Sequence, residues 1–272
     1  MNDTRSTMIQ WHNGERRPLE TEFIEEEPLS IRVQGNPYAV VMRTPGDELA
    51  QAAGFCLTEG LVDDPDDIVN LASCDTDDTN VVTVTLTPRR STQMAGHLDR
   101  RGYISQTGCG LCGKTLIAEL FQQLRPLDDS TTISLPAAEG CIRRLDEFQP
   151  LRRRTRASHA VALFDAQLRP LVAMEDVGRH NALDKAIGRL FLDRRLDLAK
   201  VAVLSSRISY ELVQKAVRAR IPILLAMSRP TTLAVALGAR LGMSLAGARR
   251  PEGLYLYCNT QRFVDDADGR SQ

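Results

Sequence analysis

Residues 201–230 read VAVLSSRISYELVQKAVRARIPILLAMSRP, and this stretch decides the fold. Val201 to Leu204 is a short apolar run of the kind that forms a buried strand. The polar corner Ser205-Ser206-Arg207-Ile208-Ser209-Tyr210-Glu211 follows, then a helix turning Val213 and Val217 inward. Ile221 to Met227 is a second strand, and Ser228-Arg229-Pro230-Thr231-Thr232 repeats the corner before a helix running to Leu241. Strands and helices alternating over short connections predict helices packed on both faces of a mixed sheet, an α/β core within a chain that is α+β overall. In such sheets ligands gather at the carboxyl ends of strands, where these corners lie.

The pattern extends in both directions. Ser244 to Gly247 and Leu254 to Tyr257 finish the sheet. Upstream, His159 to Phe164 and Leu171 to Met174 predict a hairpin joined through Asp165-Ala166-Gln167. A helix from about Arg179 turns Ala182, Leu183, Ala186, Ile187 and Leu190 inward. Ala138, Cys141, Ile142 and Leu145 mark another helix, and Leu116, Ile117, Leu120, Phe121 and Leu124 one before it. Nearer the start, Leu29 to Arg43 reads as two strands around Gly35-Asn36-Pro37. Thr44-Pro45-Gly46-Asp47 resembles a helix start with threonine as cap, and the helix buries Leu49, Ala52, Ala53, Cys56 and Leu57. Val82, Val84 and Leu86 alternate with threonines, the mark of a half-buried strand. The division expected is a flexible, polar segment over residues 1–20, a small α+β unit over 21–95 and a larger domain over 96–265.

The chain has 272 residues, 43% of them hydrophobic, enough for a sizeable core. A formal net charge of −1 argues against a globally basic nucleic-acid binder. Six cysteines at irregular spacing do not form the framework of a small secreted domain. No apolar run reaches the length of a membrane span, and Met1-Asn2-Asp3-Thr4-Arg5 leads into polar sequence without a signal-peptide stretch. A reducing cytoplasm is the expected setting.

Reactive chemistry concentrates in Thr107-Gly108-Cys109-Gly110-Leu111-Cys112-Gly113-Lys114. Glycines before, between and after the thiols remove bulk around both sulfurs. Such a pair suits persulfide transfer, a cycling disulfide, or half of a zinc site. Zinc needs further ligands, for which His97, His159 and His180 are the candidates. Cys56 and Cys141 fall on apolar helix faces, and Cys74 and Cys258 lack a partner motif, so packing is expected of all four.

A second polar cluster runs Glu175-Asp176-Val177-Gly178-Arg179-His180-Asn181-Ala182-Leu183-Asp184-Lys185. At a strand-to-helix corner it suits an anion, with His180 able to move a proton; a capped helix with His180 as a structural bridge explains it equally well. Ser206, Arg207 and Thr231 in the later corners could hold phosphate or ribose. Arg152-Arg153-Arg154 with Arg156 forms a concentrated positive loop that would meet ligand phosphates or an acidic protein surface, or simply face solvent. Ala248-Arg249-Arg250-Pro251-Glu252-Gly253 joins two late strands and could clasp a nucleotide or be an exposed turn.

Together these motifs resemble the formate dehydrogenase accessory sulfurtransferase family. The likeness runs from about Glu25 to Phe263 and is strongest at Thr107 to Gly113, Glu175 to Lys185, Ser205 to Lys215 and Thr231 to Val235. Phe148-Gln149-Pro150 followed by Thr155 and His159 adds to it. The resemblance implies a cytidine-deaminase-like core. It implies an enzyme that takes sulfur from a cysteine desulfurase and passes it to the molybdenum cofactor as bis(molybdopterin guanine dinucleotide), for formate dehydrogenase. It further implies a persulfide on Cys109, a second family cysteine at Cys112, cofactor contacts at Ala248 to Gly253, and a homodimer. Arg179, His180, Ser206, Arg207 and Thr231 are the remaining candidates for cofactor binding. Zinc deaminases use a His-x-Glu motif before Pro-Cys-x-x-Cys; here His97-Leu98-Asp99 and Gly108 depart from that pattern, so no zinc is expected. The alternatives are a non-covalent cofactor chaperone, a metal-dependent deaminase or hydrolase, and a general dithiol oxidoreductase.

Overall fold

The computed structural model describes residues 5–73, 80–98, 124–249 and 253–265. The chain opens with strands β1 (Arg5–His12), β2 (Glu15–Glu22), β3 (Glu27–Val33) and β4 (Asn36–Arg43), then helix α1 (Glu48–Thr58), strands β5 (Ile68–Ser73) and β6 (Val81–Leu86), and helix α2 (Pro88–Leu98). After residue 124 come β7 (Ile133–Ser134), α3 (Leu135–Arg144), α4 (Pro150–Thr155), β8 (His159–Phe164), β9 (Pro170–Asp176) and α5 (Arg179–Leu192). The last elements are β10 (Val201–Leu204), α6 (Tyr210–Arg218), β11 (Ile223–Ala226), α7 (Thr232–Arg240), β12 (Ser244–Arg249), β13 (Gly253–Cys258) and β14 (Phe263–Val264).

Six strands form a mixed sheet in the order β13-β12-β11-β10-β8-β9. β10, β11 and β12 are parallel, while β8 is antiparallel to both β9 and β10. Alternation along each strand splits the core in two. Val161, Leu163, Ala202, Leu204 and Leu224 face α5, α6 and α7; Ala160, Ala162, Phe164, Val203 and Leu225 face Ala138, Cys141 and Ile142 of α3. The sheet is thus covered by helices on both faces, as its alternating sequence predicts.

A second sheet, ordered β4-β3-β6-β5, belongs to the smaller unit. β3 and β4 meet through Gln34 and Gly35, both in the left-handed region, a turn whose twist suits a tight hairpin. Leu29, Ile31, Val82 and Val84 pack in the same hydrophobic cluster as α1, α5 and α6. This explains why α1 is buried almost all round, from Ala50 to Thr58, where periodicity predicted one apolar face. Leu49, assigned to that face, is 39% exposed.

Helices α1 and α5 cross backbone to backbone. A Cβ on Gly54 would stand 1.9 Å from the Asp184 carbonyl oxygen, and one on Gly188 1.7 Å from that of Ala50. Around this crossing lie two buried ion pairs. Lys185 Nζ sits 2.7 Å from Asp176 Oδ2 and donates to the Thr44 carbonyl at 2.7 Å. Lys215 Nζ donates to Asp184 and to Thr58 Oγ1, at 2.9 Å in each case, and Thr58 Oγ1 donates to Asp184 Oδ1. Burial works against the Lys215 charge, but the Asp184 and Glu59 carboxylates override it and raise its pKa.

Two local expectations change. Thr44 does not cap α1: its N–H donates to Asp176 Oδ2 and its Oγ1 accepts from the Val177 N–H, tying the small unit to the large sheet. Asp47, with φ 58°, precedes α1 without a side-chain cap. The opening residues, expected to be loose, pair as the β1–β2 hairpin. No described helix is long and apolar enough to cross a membrane. The helix expected over 116–124 lies outside the described residues up to residue 123.

Replacing Gly54 with Ala forces these helices apart. Overpacking against backbone predicts a loss of about 3 kcal/mol or more in denaturant unfolding; an unchanged midpoint contradicts the close crossing. Lys215→Met strands the Asp184 carboxylate and should cost about 3–5 kcal/mol. Adding Asp184→Asn removes the stranded charge, so the double variant should be more stable than Lys215→Met alone in the same measurement.

Candidate functional site

Strands β9, β10, β11 and β12 run in one direction, so Asp176, Leu204, Ala226 and Arg249 end at a single edge of the sheet. The polar corners singled out in the sequence converge there. Arg179 and His180 open α5 and are half-buried. Ser205 Oγ accepts from the Ala160 N–H at 2.8 Å, fastening the end of β10 to β8. Ser206 donates to the Arg207 carbonyl at 3.0 Å, leaving the Arg207 side chain exposed. Thr231 Oγ1 accepts from the Ala234 N–H at 3.2 Å and so caps α7. Arg229 lies over the Tyr255 ring, 5.7 Å from its centroid.

His180 bridges the first two corners. Its Nε2 stands 2.8 Å from Glu211 Oε2 and 3.5 Å from Ser209 Oγ. The hydrogen bond from His180 holds the Glu211 carboxyl below its ordinary pKa. His159 enters the same edge from β8, opposite Asp176. Burial, then the positive charges of Arg179 and Arg152, hold its imidazole below the usual value. An anion arriving beside His159 would oppose those charges and favour the protonated ring. Sequence reasoning did not pair Glu211 with His180, because only the adjacency of α5 and α6 brings them together.

The cluster Glu175 to Lys185 divides between two tasks. Arg179 and His180 stay at the sheet edge. Asp176, Asn181, Asp184 and Lys185 are buried against the small unit instead. Asp176 Oδ1 accepts from Gly178 N–H and Asn181 Nδ2, and Asn181 also donates to the Met42 carbonyl at 2.7 Å. Glu175 accepts from the N–H groups of Leu151 and Arg152, capping the start of α4. The arginine run is anchored along its length: Arg152 and Arg153 donate to the Ser158 and Asp146 carbonyls, and Arg154 lies 3.4 Å from Glu22.

Ala248 and Arg249 end β12, paired with Leu254 and Gly253 of β13. Arg249 stands at the same edge; Arg250, Pro251 and Glu252 lie outside the described residues. So do Cys109, Cys112, Lys114 and Cys74. The three described cysteines, Cys56, Cys141 and Cys258, are buried, and burial pushes each thiol pKa up. Those sulfurs are poor nucleophiles. Among the described residues no group of three or more His, Cys, Asp and Glu side chains could hold a metal.

Comparison with known proteins agrees with this architecture. The chain is 37% identical to a Streptomyces avermitilis protein named sulfur carrier protein FdhD, over 96% of this chain and 95% of that protein. A Xanthomonas campestris protein of the same name is 36% identical, over 94% of this chain and 90% of its own length. The fold matches the solved structure of a formate dehydrogenase accessory protein from Desulfotalea psychrophila, with a TM-score of 0.75 and 23% identity over 96% of this chain and 98% of that one. A family model matches residues 24–264, a span that takes in both sheets and the shared edge, and on that match the chain belongs to the FdhD/NarQ family.

Proposed function

We propose that this chain is a sulfurtransferase that accepts sulfur from a cysteine desulfurase and delivers it to the bis(molybdopterin guanine dinucleotide) molybdenum cofactor, required for formate dehydrogenase activity. The observation that carries the reading is the name shared by full-length relatives, sulfur carrier protein. The glycine-flanked thiols supply the chemistry, and the cation-bearing sheet edge suits the phosphates of the cargo. The six-stranded mixed sheet with helices on both faces is consistent with a cytidine-deaminase-like core. A reducing cytoplasm would keep the carrier thiol free.

In the transfer, the Cys109 thiolate attacks the outer sulfur of the donor persulfide. The donor S–S bond breaks and its electron pair leaves on the donor cysteine as a thiolate. The new S–S bond makes Cys109 a persulfide, with Cys112 beside it in sequence. The cofactor is the receiving substrate. Arg179 and Arg207 would bind its phosphates, and Ala248 to Gly253 would meet its guanine end. The buried thiols of Cys56, Cys141 and Cys258 would take no part.

Incubation with a cysteine desulfurase and cysteine should add one sulfur atom to Cys109, read by mass spectrometry of the intact chain and its peptides. Cys109→Ala should lack the adduct. Failure of the wild-type chain to take up sulfur, or full sulfuration of Cys109→Ala at another residue, contradicts the mechanism; retained delivery by the variant points to a non-covalent cofactor chaperone.

A further inference from the structure

No step of the proposed transfer uses His159, yet the topology sets it in the middle of the sheet edge. β8 lies between β9 and β10, so its first residue stands between the corner that opens α5 and the corner that opens α6. On one side His159 pairs with Asp176. On the other, the N–H of its neighbour Ala160 donates to Ser205 Oγ at 2.8 Å. His159 itself is half-buried.

Charges reach the ring from three elements. Arg152 of α4 and Arg179 and His180 of α5 act on it as cations, and Asp176 of β9 as an anion. Asp176 already has a counter-ion, because Lys185 Nζ lies 2.7 Å from it. Glu175, next to Asp176 on β9, is held by Ser158 Oγ and by the N–H groups of Leu151 and Arg152, and Glu211 of α6 is held by His180. The corner after β10 brings Ser205 and Ser206, which carry no charge, and Arg207, which faces solvent. Arg179 Nε is buried with no acceptor among the described residues. A buried donor left open calls for a partner. Burial and the arginine charges hold the His159 pKa below its usual value, so the ring waits neutral among cations.

We propose that His159 is a ligand-binding residue of this edge, which takes a proton from solvent as it receives a diphosphate diester between itself and Arg179. A ring nitrogen gains the proton and donates it to a phosphate oxygen as a charge-assisted hydrogen bond. No bond of the ligand breaks. A diphosphate diester is fully ionised near neutral pH and has no proton to bring, so water or buffer supplies it. A dinucleotide joins its halves through such a group. This role rests on the edge being the seat of a phosphate-bearing cargo, as proposed above.

The bound ring titrates at higher pH than the empty one. Below the empty ring's pKa the imidazole is charged before the ligand arrives. Above the bound ring's pKa it stays neutral and the ligand binds more weakly. Affinity therefore falls as pH rises between the two, by about 10-fold for each pH unit that separates them. Isothermal titration of the full chain with GDP-mannose, whose phosphates are diester-linked, in buffers of different ionisation enthalpy counts the protons. The wild type should take up about one proton per ligand inside that window. His159→Gln should take up none and should bind at every pH with the weaker affinity that the wild type shows at high pH. Ring-proton NMR of the four histidines in the wild type needs no variant. One ring should titrate below the ordinary histidine range alone and move to higher pH with GDP-mannose. Binding without proton uptake, uptake that persists in His159→Gln, or four rings that the ligand leaves unmoved overturns the inference and leaves sulfur transfer standing. No binding of GDP-mannose at any pH overturns it as well and removes the edge from the functional account, while the sulfur adduct on Cys109 is judged separately.

Discussion

The crossing of α1 and α5 at Gly54 and Gly188 is the constraint on which the rest of the structure depends. Neither position has room for a side chain, because each Cβ would occupy the place of a carbonyl group on the facing helix. The close approach makes one hydrophobic cluster out of two sheets. It also fixes the start of α5, and with it Arg179 and His180, at the carboxyl edge of the large sheet. A helix from the small unit thereby positions groups at a site that the other sheet frames.

Backbone contact of this kind leaves little room for water, so polar groups nearby must find partners within the protein. The carboxylates of Asp176 and Asp184 do so across the boundary between the units. Asp176 is bound by Thr44, Gly178, Asn181 and Lys185, and Asp184 by Thr58 and Lys215. Buried pairs of this sort add little net stability over an apolar packing, yet losing one partner is expensive. Their effect is to penalise other ways of docking the small unit, since a shifted helix would strand a charge.

Much of the larger domain was legible in the sequence because its signals are local. The apolar runs at Val201 and Ile223, the alternation at Val82 and the helical spacing after Arg179 each name their own element. The convergence of the polar corners followed from strand direction. What escaped were features set by distant chain. Thr44 looks like a helix cap beside Pro45, but Asp176 and Val177 recruit it instead. Asp176 and Lys185 look like site residues beside His180, yet the small unit buries them. Glu211 has no sequence relation to His180 that spacing could reveal. The opening hairpin shows no burial pattern in its sequence, since among the described residues 6–20 are exposed, and burial patterns are what make strands legible.

In the proposed transfer, sulfur passes covalently through Cys109, while the cation-bearing sheet edge holds the receiving cofactor. The most direct measurement is complementation in cells lacking the native protein. Cys109→Ala would be scored for formate dehydrogenase activity and, in the same preparations, for retention of the guanine-dinucleotide cofactor by the purified variant. The account predicts lost enzyme activity with cofactor binding retained. Normal formate dehydrogenase activity with Cys109→Ala would contradict it.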